Sequence, residues 1–225
     1  MKPTKFPGIF FEETDGRKTF YTKNLTPGKQ VYGEKLVAES DIEYREWDIR
    51  RSKLAAALIK GIDQLGFKED SKVLYLGSAT GTTVSHVSDI CDKGMIFAID
   101  FAPRVMRDLM FLAERRKNII PLLADANKPE EYYSFIPAAD IIYQDVAQKN
   151  QVEIFLKNIN LFLKSAGYAI IAVKSRSIDV TRSPKEIFSI VRRELENSLI
   201  VVDYRVLDPF ERDHCMFVCK KKNAA

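Results

Sequence analysis

A chain of 225 residues and 25.7 kDa can bury a core unaided, and 46% hydrophobic with 29% charged residues is a globular balance. This excludes disorder, collagen-like repeats and a disulfide scaffold, and the length suits one sizeable domain with an appendage. The net charge, 35 − 31 = +4, permits an anionic partner without demanding one. Tyr168–Val173, the most evident apolar stretch, is far short of a membrane span. The start MKPTKFPG has no signal-peptide core, so no membrane association is expected. Cys91, Cys215 and Cys219 show no ligand spacing, so no metal is expected and they read as free thiols. On one strand, at ~3.3 Å per residue, Cys215 and Cys219 would lie about 13 Å apart, too far to bridge.

The first 50 residues hold 8 of the 24 aromatics. Gly8–Glu13 and Lys18–Lys23 flank Asp15-Gly16, the signature of a β-hairpin. A turn over Asn24–Lys29 and candidate strands at Val31–Tyr32 and Leu36–Ala38 follow. Residues 1–50 therefore read as a small all-β domain, its aromatics forming its own core or offering a docking face. Residues 51–225 form the second unit. Ile49–Leu65 has helical spacing, with Leu54, Leu58, Ile62 and Leu65 on one stripe. Apolar runs at Lys72–Leu76, Met95–Asp100, Ile119–Leu123, Ile141–Gln144 and Tyr168–Val173 then alternate with helical segments. Those segments are Thr82–Cys91, Pro103–Arg116, Pro129–Phe135 and Asn150–Leu163. Such alternation predicts a doubly wound α/β sheet with parallel strands. After a helix over Pro184–Asn197, the strand-like runs Leu199–Leu207 and His214–Lys220 are separated by only six residues, so they must pair antiparallel. A parallel sheet closed by an antiparallel hairpin resembles the Rossmann-like S-adenosylmethionine-dependent methyltransferases.

The first strand of this unit runs into LGSATGTT, where Gly77, Ala79 and Gly81 permit a tight turn and close approach to a ligand. The helix opening near Thr82 and Thr83 offers unpaired N–H groups. A full GxGxxG is absent. Asp100 closes the second strand, 23 residues after Gly77, where a carboxylate accepts both ribose hydroxyls of an adenosine, and Phe101 could cover the adenine. Asp125 follows the third strand and Asp145 the fourth. Parallel strands bring all of these to one sheet edge. A nicotinamide-dependent oxidoreductase would share the loop and Asp100, but not the closing hairpin.

Lys174 ends the strand AIIAVKS, where a lysine loses hydration unless a carboxylate compensates. Asp145 closes the neighbouring strand. His214 begins the last strand, which starts at the same edge because it runs antiparallel. Lys53 lies on the helix before the sheet, where sequence does not place it.

The stretches FPGIFFEE, WDIRRSKLAAAL, VLYLGSATGTTVSHVSDI, IFAIDFAPR, PLLADANKPE, DIIYQDVAQKNQ, AIIAVKSRSID and ERDHCMFV resemble, in order, the fibrillarin family in its archaeal-type form. The resemblance implies a methyltransferase acting on ribose 2′-hydroxyls of rRNA and tRNA within box C/D ribonucleoproteins, with S-adenosylmethionine as cofactor. It implies a Lys–Asp–Lys–His tetrad at Lys53, Asp145, Lys174 and His214, in which Asp145 would position Lys174. Cofactor contacts would fall on Thr82, Thr83, Asp100, Phe101, Asp125, Ala126, Asp145, Val146, Ala147 and Gln148. Implied partners are a Nop-domain scaffold protein, a kink-turn-binding ribosomal-type protein, the box C/D guide RNA and the RNA substrate. The Gly/Arg-rich extension of eukaryotic members is missing, so a cytoplasmic location is expected. Asp100 stands where many relatives carry Glu, which keeps the carboxylate. A stand-alone ribose methyltransferase of the heat-shock type, with Glu in place of His214, is the alternative reading.

Overall fold

The computed structural model describes residues 1–222. Strands β1 (Lys2–Pro3), β2 (Ile9–Thr14), β3 (Arg17–Lys23), β4 (Leu36–Glu39) and β5 (Ile42–Trp47) form an antiparallel sheet in the order β1-β2-β3-β5-β4. The β2–β3 hairpin turns at Asp15 and Gly16, both with positive φ, as the Asp-Gly pair predicts. Val31–Tyr32 is not a strand. Its two N–H groups donate to the Glu34 carboxylate at 3.0 and 2.8 Å, which curls this segment into a turn and sends the Tyr32 ring inward. β5 was hidden by its charges. Arg45 lies in its middle yet is fully buried, because Glu34 and Asp89 meet its guanidinium at 2.6 and 2.8 Å.

Helix α1 (Lys53–Ile59) is shorter than its apolar stripe predicts. Gly61, at φ +77°, takes the left-handed position, with Gly61 N–H donating to Leu58 and Ile62 N–H to Ala57, both at 3.0 Å. This paired C-terminal closure ends the helix, while Ile62 and Leu65 stay buried on the chain beyond it.

The larger unit alternates as expected through β6 (Lys72–Leu76), α2 (Thr82–Ile90), β7 (Met95–Asp100), α3 (Pro103–Arg115), β8 (Ile119–Leu123), β9 (Ala139–Gln144), α4 (Gln151–Phe162) and β10 (Leu163–Lys174). Pro129–Phe135 forms two short 3-10 turns rather than a helix. Tyr132 is drawn into the core, stacked on Phe162 and bonded to Asn158. A single turn α5 (Ser175–Ile178), helix α6 (Pro184–Ser198) with its Ser183/Glu186 capping box, β11 (Leu199–Val206) and β12 (His214–Lys221) complete the chain. The seven-stranded sheet runs β11-β12-β10-β9-β6-β7-β8. β6 to β10 are parallel, and β12 inserts antiparallel between β10 and β11. The fold is thus α/β, ending in the antiparallel hairpin that the short connection required.

One sheet face is covered by α1, α2 and α3, the other by α4 and α6. Ile9, Phe20 and Trp47 of the N-terminal sheet join the cluster that holds Leu54, Val84, Val87 and Ile90, so these side chains pack onto α1 and α2. Trp47 stacks on His86 at 4.7 Å. Among the described residues no helix is long and apolar enough to cross a membrane.

Candidate functional site

Chain order reverses between β6 and β9, since β7 and β8 extend the sheet on one side and β9 and β10 on the other. Loops after these strands diverge and leave a crevice at their carboxyl ends. Gly77 opens the loop after β6 at φ +79°, and a Cβ there would stand 2.5 Å from the carbonyl oxygen of Asp145. Only glycine lets the two strand ends touch. Ala79 also has positive φ, and Gly81, at +93°, is the cap residue of α2 with no side-chain hydrogen bond of its own. The loop is pinned by Asp100, whose two carboxylate oxygens accept the N–H groups of Ala79 at 3.0 Å and Ala102 at 3.1 Å. Each oxygen keeps a lone pair for a ligand hydroxyl.

A cavity of about 290 Å³ results. It is lined by Gly77, Ala79, Asp100, Phe101, Asp125, Ala126, Asp145, Val146, Ala147 and Gln148, together with Ile99 and Ala124, apolar residues with no motif of their own. Asp125 closes its own turn, accepting the Asn127 N–H at 2.9 Å. Phe101 is 65% exposed at the rim. Gly81, Thr82 and Thr83 do not line this cavity. Gly81 turns the chain into α2, Thr82 borders a separate hollow beside Tyr32 and Arg116, and the Thr83 hydroxyl donates to Ser52 at 2.9 Å. Carboxylates at the mouth, small apolar side chains in the wall, a free aromatic face and a glycine-opened cradle fit a nucleoside with a cationic substituent.

Beside the cavity stand the four tetrad candidates. Lys53 is the first residue of α1, and its Nζ donates to Asp145 Oδ2 at 2.9 Å. Burial alone would push the Lys53 ammonium down, but the Asp145 carboxylate more than offsets it and holds the group above its ordinary value. Lys174 and His214 face each other as register partners of β10 and β12. The His214 Nδ1–H donates to the Arg212 carbonyl at 2.7 Å, which leaves Nε2 as the bare acceptor nitrogen of a neutral ring. Burial, and the Lys53 charge nearby, hold that imidazole below its usual value. The expected support of Lys174 by Asp145 is not what the structure shows. The Asp145 carboxylate is taken by Lys53, and among the described residues Lys174 forms no ion pair.

Ser52 was missed. It is buried, its Oγ caps α1 by accepting the Ala55 N–H at 3.3 Å, and it also accepts from Thr83. One residue thereby sets Lys53 against the start of α2. A serine directly before an apolar-periodic run was the available signal.

Residues 1–223 match the family model described as Fibrillarin. A fibrillarin-like rRNA/tRNA 2′-O-methyltransferase of Thermococcus onnurineus is 49% identical over 223 residues, covering 98% of this chain and 99% of the relative. Among solved structures, the fibrillarin pre-rRNA processing protein of Methanococcus jannaschii superposes with a TM-score of 0.96 at 50% identity, over 99% of this chain and 97% of the other. Aeropyrum pernix fibrillarin, solved with natively bound S-adenosyl-L-methionine, gives 0.89 at 45% identity, with 97% and 96% covered. A fibrillarin in complex with Nop5p gives 0.85 at 44% identity, with 94% and 97% covered.

Proposed function

The chain belongs to the fibrillarin family, and on that premise we propose that it is an S-adenosylmethionine-dependent RNA ribose 2′-O-methyltransferase that works as the catalytic subunit of a guide-directed box C/D ribonucleoprotein. The observation that carries the chemistry is the meeting of the Asp100-bordered cavity and the Lys53–Asp145 pair at a single residue, Asp145. S-adenosylmethionine, when bound, supplies an activated methyl group. Asp100 would hold its ribose hydroxyls, Phe101 and the small apolar wall its base, and Asp125, Asp145 and the loop through Gln148 the rest.

A ribose 2′-hydroxyl is a poor nucleophile that must be aligned and relieved of one proton. Lys174 Nζ, which among the described residues no carboxylate engages, orients that hydroxyl and, as the neutral amine, takes its proton to become an ammonium while the hydroxyl oxygen bonds to the methyl group. From the facing strand, His214 Nε2 is a second acceptor beside the same hydroxyl and helps to hold its O–H in line. Lys53 acts chiefly through Asp145, holding the carboxylate where the cofactor cavity begins. Site selection is left to a guide RNA, a Nop-domain scaffold and a kink-turn-binding protein. The modest charge of +4 supports that division of labour. The test is a calorimetric titration with S-adenosylmethionine and with NAD, then methyl transfer to a guided RNA and its 2′-deoxy control. Cofactor binding that Asp100→Ala abolishes, with transfer lost in Lys174→Ala and on the control RNA, is the expected result. NAD binding, or transfer by the isolated chain to unguided RNA, would count against the proposal.

A further inference from the structure

The main chain of Lys174 is held from two sides, and only one of them is the sheet. Its ladder with β12 runs on to the pair Lys174–His214, whereas the ladder with β9 ends at Ile171–Gln144, three residues earlier. On the open side the side-chain amide of Gln151, fully buried at the start of α4, takes the place of a strand. Gln151 Oε1 accepts the Lys174 N–H at 3.1 Å, and Nε2 donates to the Lys174 carbonyl at 3.3 Å. The same Nε2 donates to the Gln148 carbonyl at 2.9 Å, and the Gln151 N–H reaches that oxygen at 3.2 Å. Gln148 lines the cofactor cavity. Behind them, Gln144 Nε2 donates to the Gln151 carbonyl at 2.7 Å and fixes the start of α4.

We infer that Gln151 is a positioning residue that sets the reactive lysine and the cofactor loop relative to one another through one planar amide. An amide is suited to this, since it presents one acceptor and two donors in a fixed plane and copies the N–H/C=O pair of a neighbouring strand. A carboxylate offers no donor, and a thioether of similar length offers no donor and only a weak acceptor. The inference rests on the role proposed for Lys174. A displacement of about 1 Å at a reacting group costs on the order of 10²-fold in rate, so loss of this clamp should be read in turnover rather than in RNA binding.

The experiment compares wild type, Gln151→Met, Gln151→Glu and Lys174→Ala in the reconstituted, guided complex. S-adenosylmethionine affinity of each isolated chain is measured alongside by calorimetry. The expected result is a fall in turnover of about 10- to 100-fold for Gln151→Met with KM for RNA little changed. Cofactor affinity should weaken in Gln151→Met and hold in Lys174→Ala, because only the former removes the shorter, side-chain bond to the Gln148 carbonyl and leaves it with the main-chain N–H alone. Gln151→Glu keeps the shape. Its activity relative to wild type should rise as pH falls, since a protonated carboxyl regains a donor for the carbonyls, a recovery that a packing defect would not give. A Gln151→Met protein with wild-type turnover and cofactor affinity, beside an inactive Lys174→Ala, would overturn the inference and leave the proposed function standing. An active Lys174→Ala would remove the proposed lysine role and the inference with it. Should Gln151→Met fail to fold, the near-isosteric Gln151→Glu decides: no change in its activity ratio with pH overturns the clamp.

Discussion

Lys53 and Asp145 lie 92 positions apart in the chain and meet at 2.9 Å, with 21% and 22% of their side chains exposed. The contact joins the first turn of α1 to the end of β9, and so ties the outer helix to the wall of the cofactor cavity. Asp145 therefore serves two neighbours, and the lysine it holds is the one whose position the sequence could not give.

Asp145→Asn keeps the shape and removes the charge. Turnover should fall ~10²-fold or more if the carboxylate orders the reacting groups. The Lys53 ammonium, left with its burial and without its counter-charge, should titrate lower than in wild type. Because the folded value in wild type is raised, the stability this pair contributes is complete below about pH 10.4, the unfolded lysine value, and is lost as pH rises through the folded one. Alkaline unfolding curves of wild type and Lys53→Met check this. Wild type should be the more stable of the two below about pH 10.4, with the gap closing as pH rises; a gap that does not change with pH would mean the pair contributes nothing.

Gly77→Ala should weaken the cofactor site more than it weakens the fold. A left-handed non-glycine residue costs about 1–2 kcal/mol, and here the added methyl also meets the Asp145 carbonyl at 2.5 Å, a main-chain atom that cannot swing aside. The loop and the end of β9 must part, which opens the cavity. Gly16, at a similar φ of +73°, has nothing within 4 Å of an added Cβ, so Gly16→Ala carries the backbone cost alone. Calorimetry with S-adenosylmethionine should show at least a tenfold loss for Gly77→Ala and none for Gly16→Ala.

Much of this geometry was legible beforehand, for a physical reason. Parallel strands buried on both faces are continuous apolar runs, and six residues cannot carry a crossover, so β6 to β10 and the β11–β12 hairpin follow from spacing. Asp100, Asp125 and Asp145 converge because strand ends of a parallel sheet share one edge. What stayed hidden depends on contacts between distant residues. Arg45 reads as a surface charge until Glu34 and Asp89 are seen around it. Val31–Tyr32 reads as a strand until the Glu34 carboxylate draws in its N–H groups. Gln151 has no signature, since its role consists in the main-chain groups of Lys174 and Gln148 that it meets.

Asp89→Ala should be among the most destabilising single changes in the chain. Its carboxylate accepts from Arg45 at 2.8 Å and from Arg116, and also receives the Thr22 hydroxyl at 2.8 Å and the Leu25 N–H at 3.1 Å. These partners lie on the N-terminal sheet, the connection between its β3 and β4, and the end of α3, so Asp89 of α2 is where they are fastened together. Its removal leaves two buried guanidiniums short of a counter-charge, at a cost of about 3–5 kcal/mol. Urea unfolding measures it. A loss under 1 kcal/mol would show that the cluster relaxes or hydrates.

Acid should destabilise the protein before its carboxylates titrate. The chain has two histidines, and both are held low. His86 lies wholly inside, depressed by burial and then by the Arg45 and Arg116 charges. His214 is depressed by burial and by Lys53, against the pull of the Arg212 carbonyl and Glu211. Below about pH 6.5 the unfolded chain therefore binds protons that the native state refuses. The stability present above that pH is lost as pH falls through the folded values, by up to about 1.4 kcal/mol per pH unit for each histidine. Glu34 and Asp140, held below the usual carboxylate range, add the same sign only from about pH 4.5 downward. Urea midpoints at pH 7.5, 6.5 and 5.5 should decline in wild type. They should decline less steeply in His86→Gln, which starts lower because it loses the stack on Trp47 and the ring contacts to Thr22 and Tyr32. A flat wild-type profile across that range would mean that neither ring is kept neutral by its surroundings.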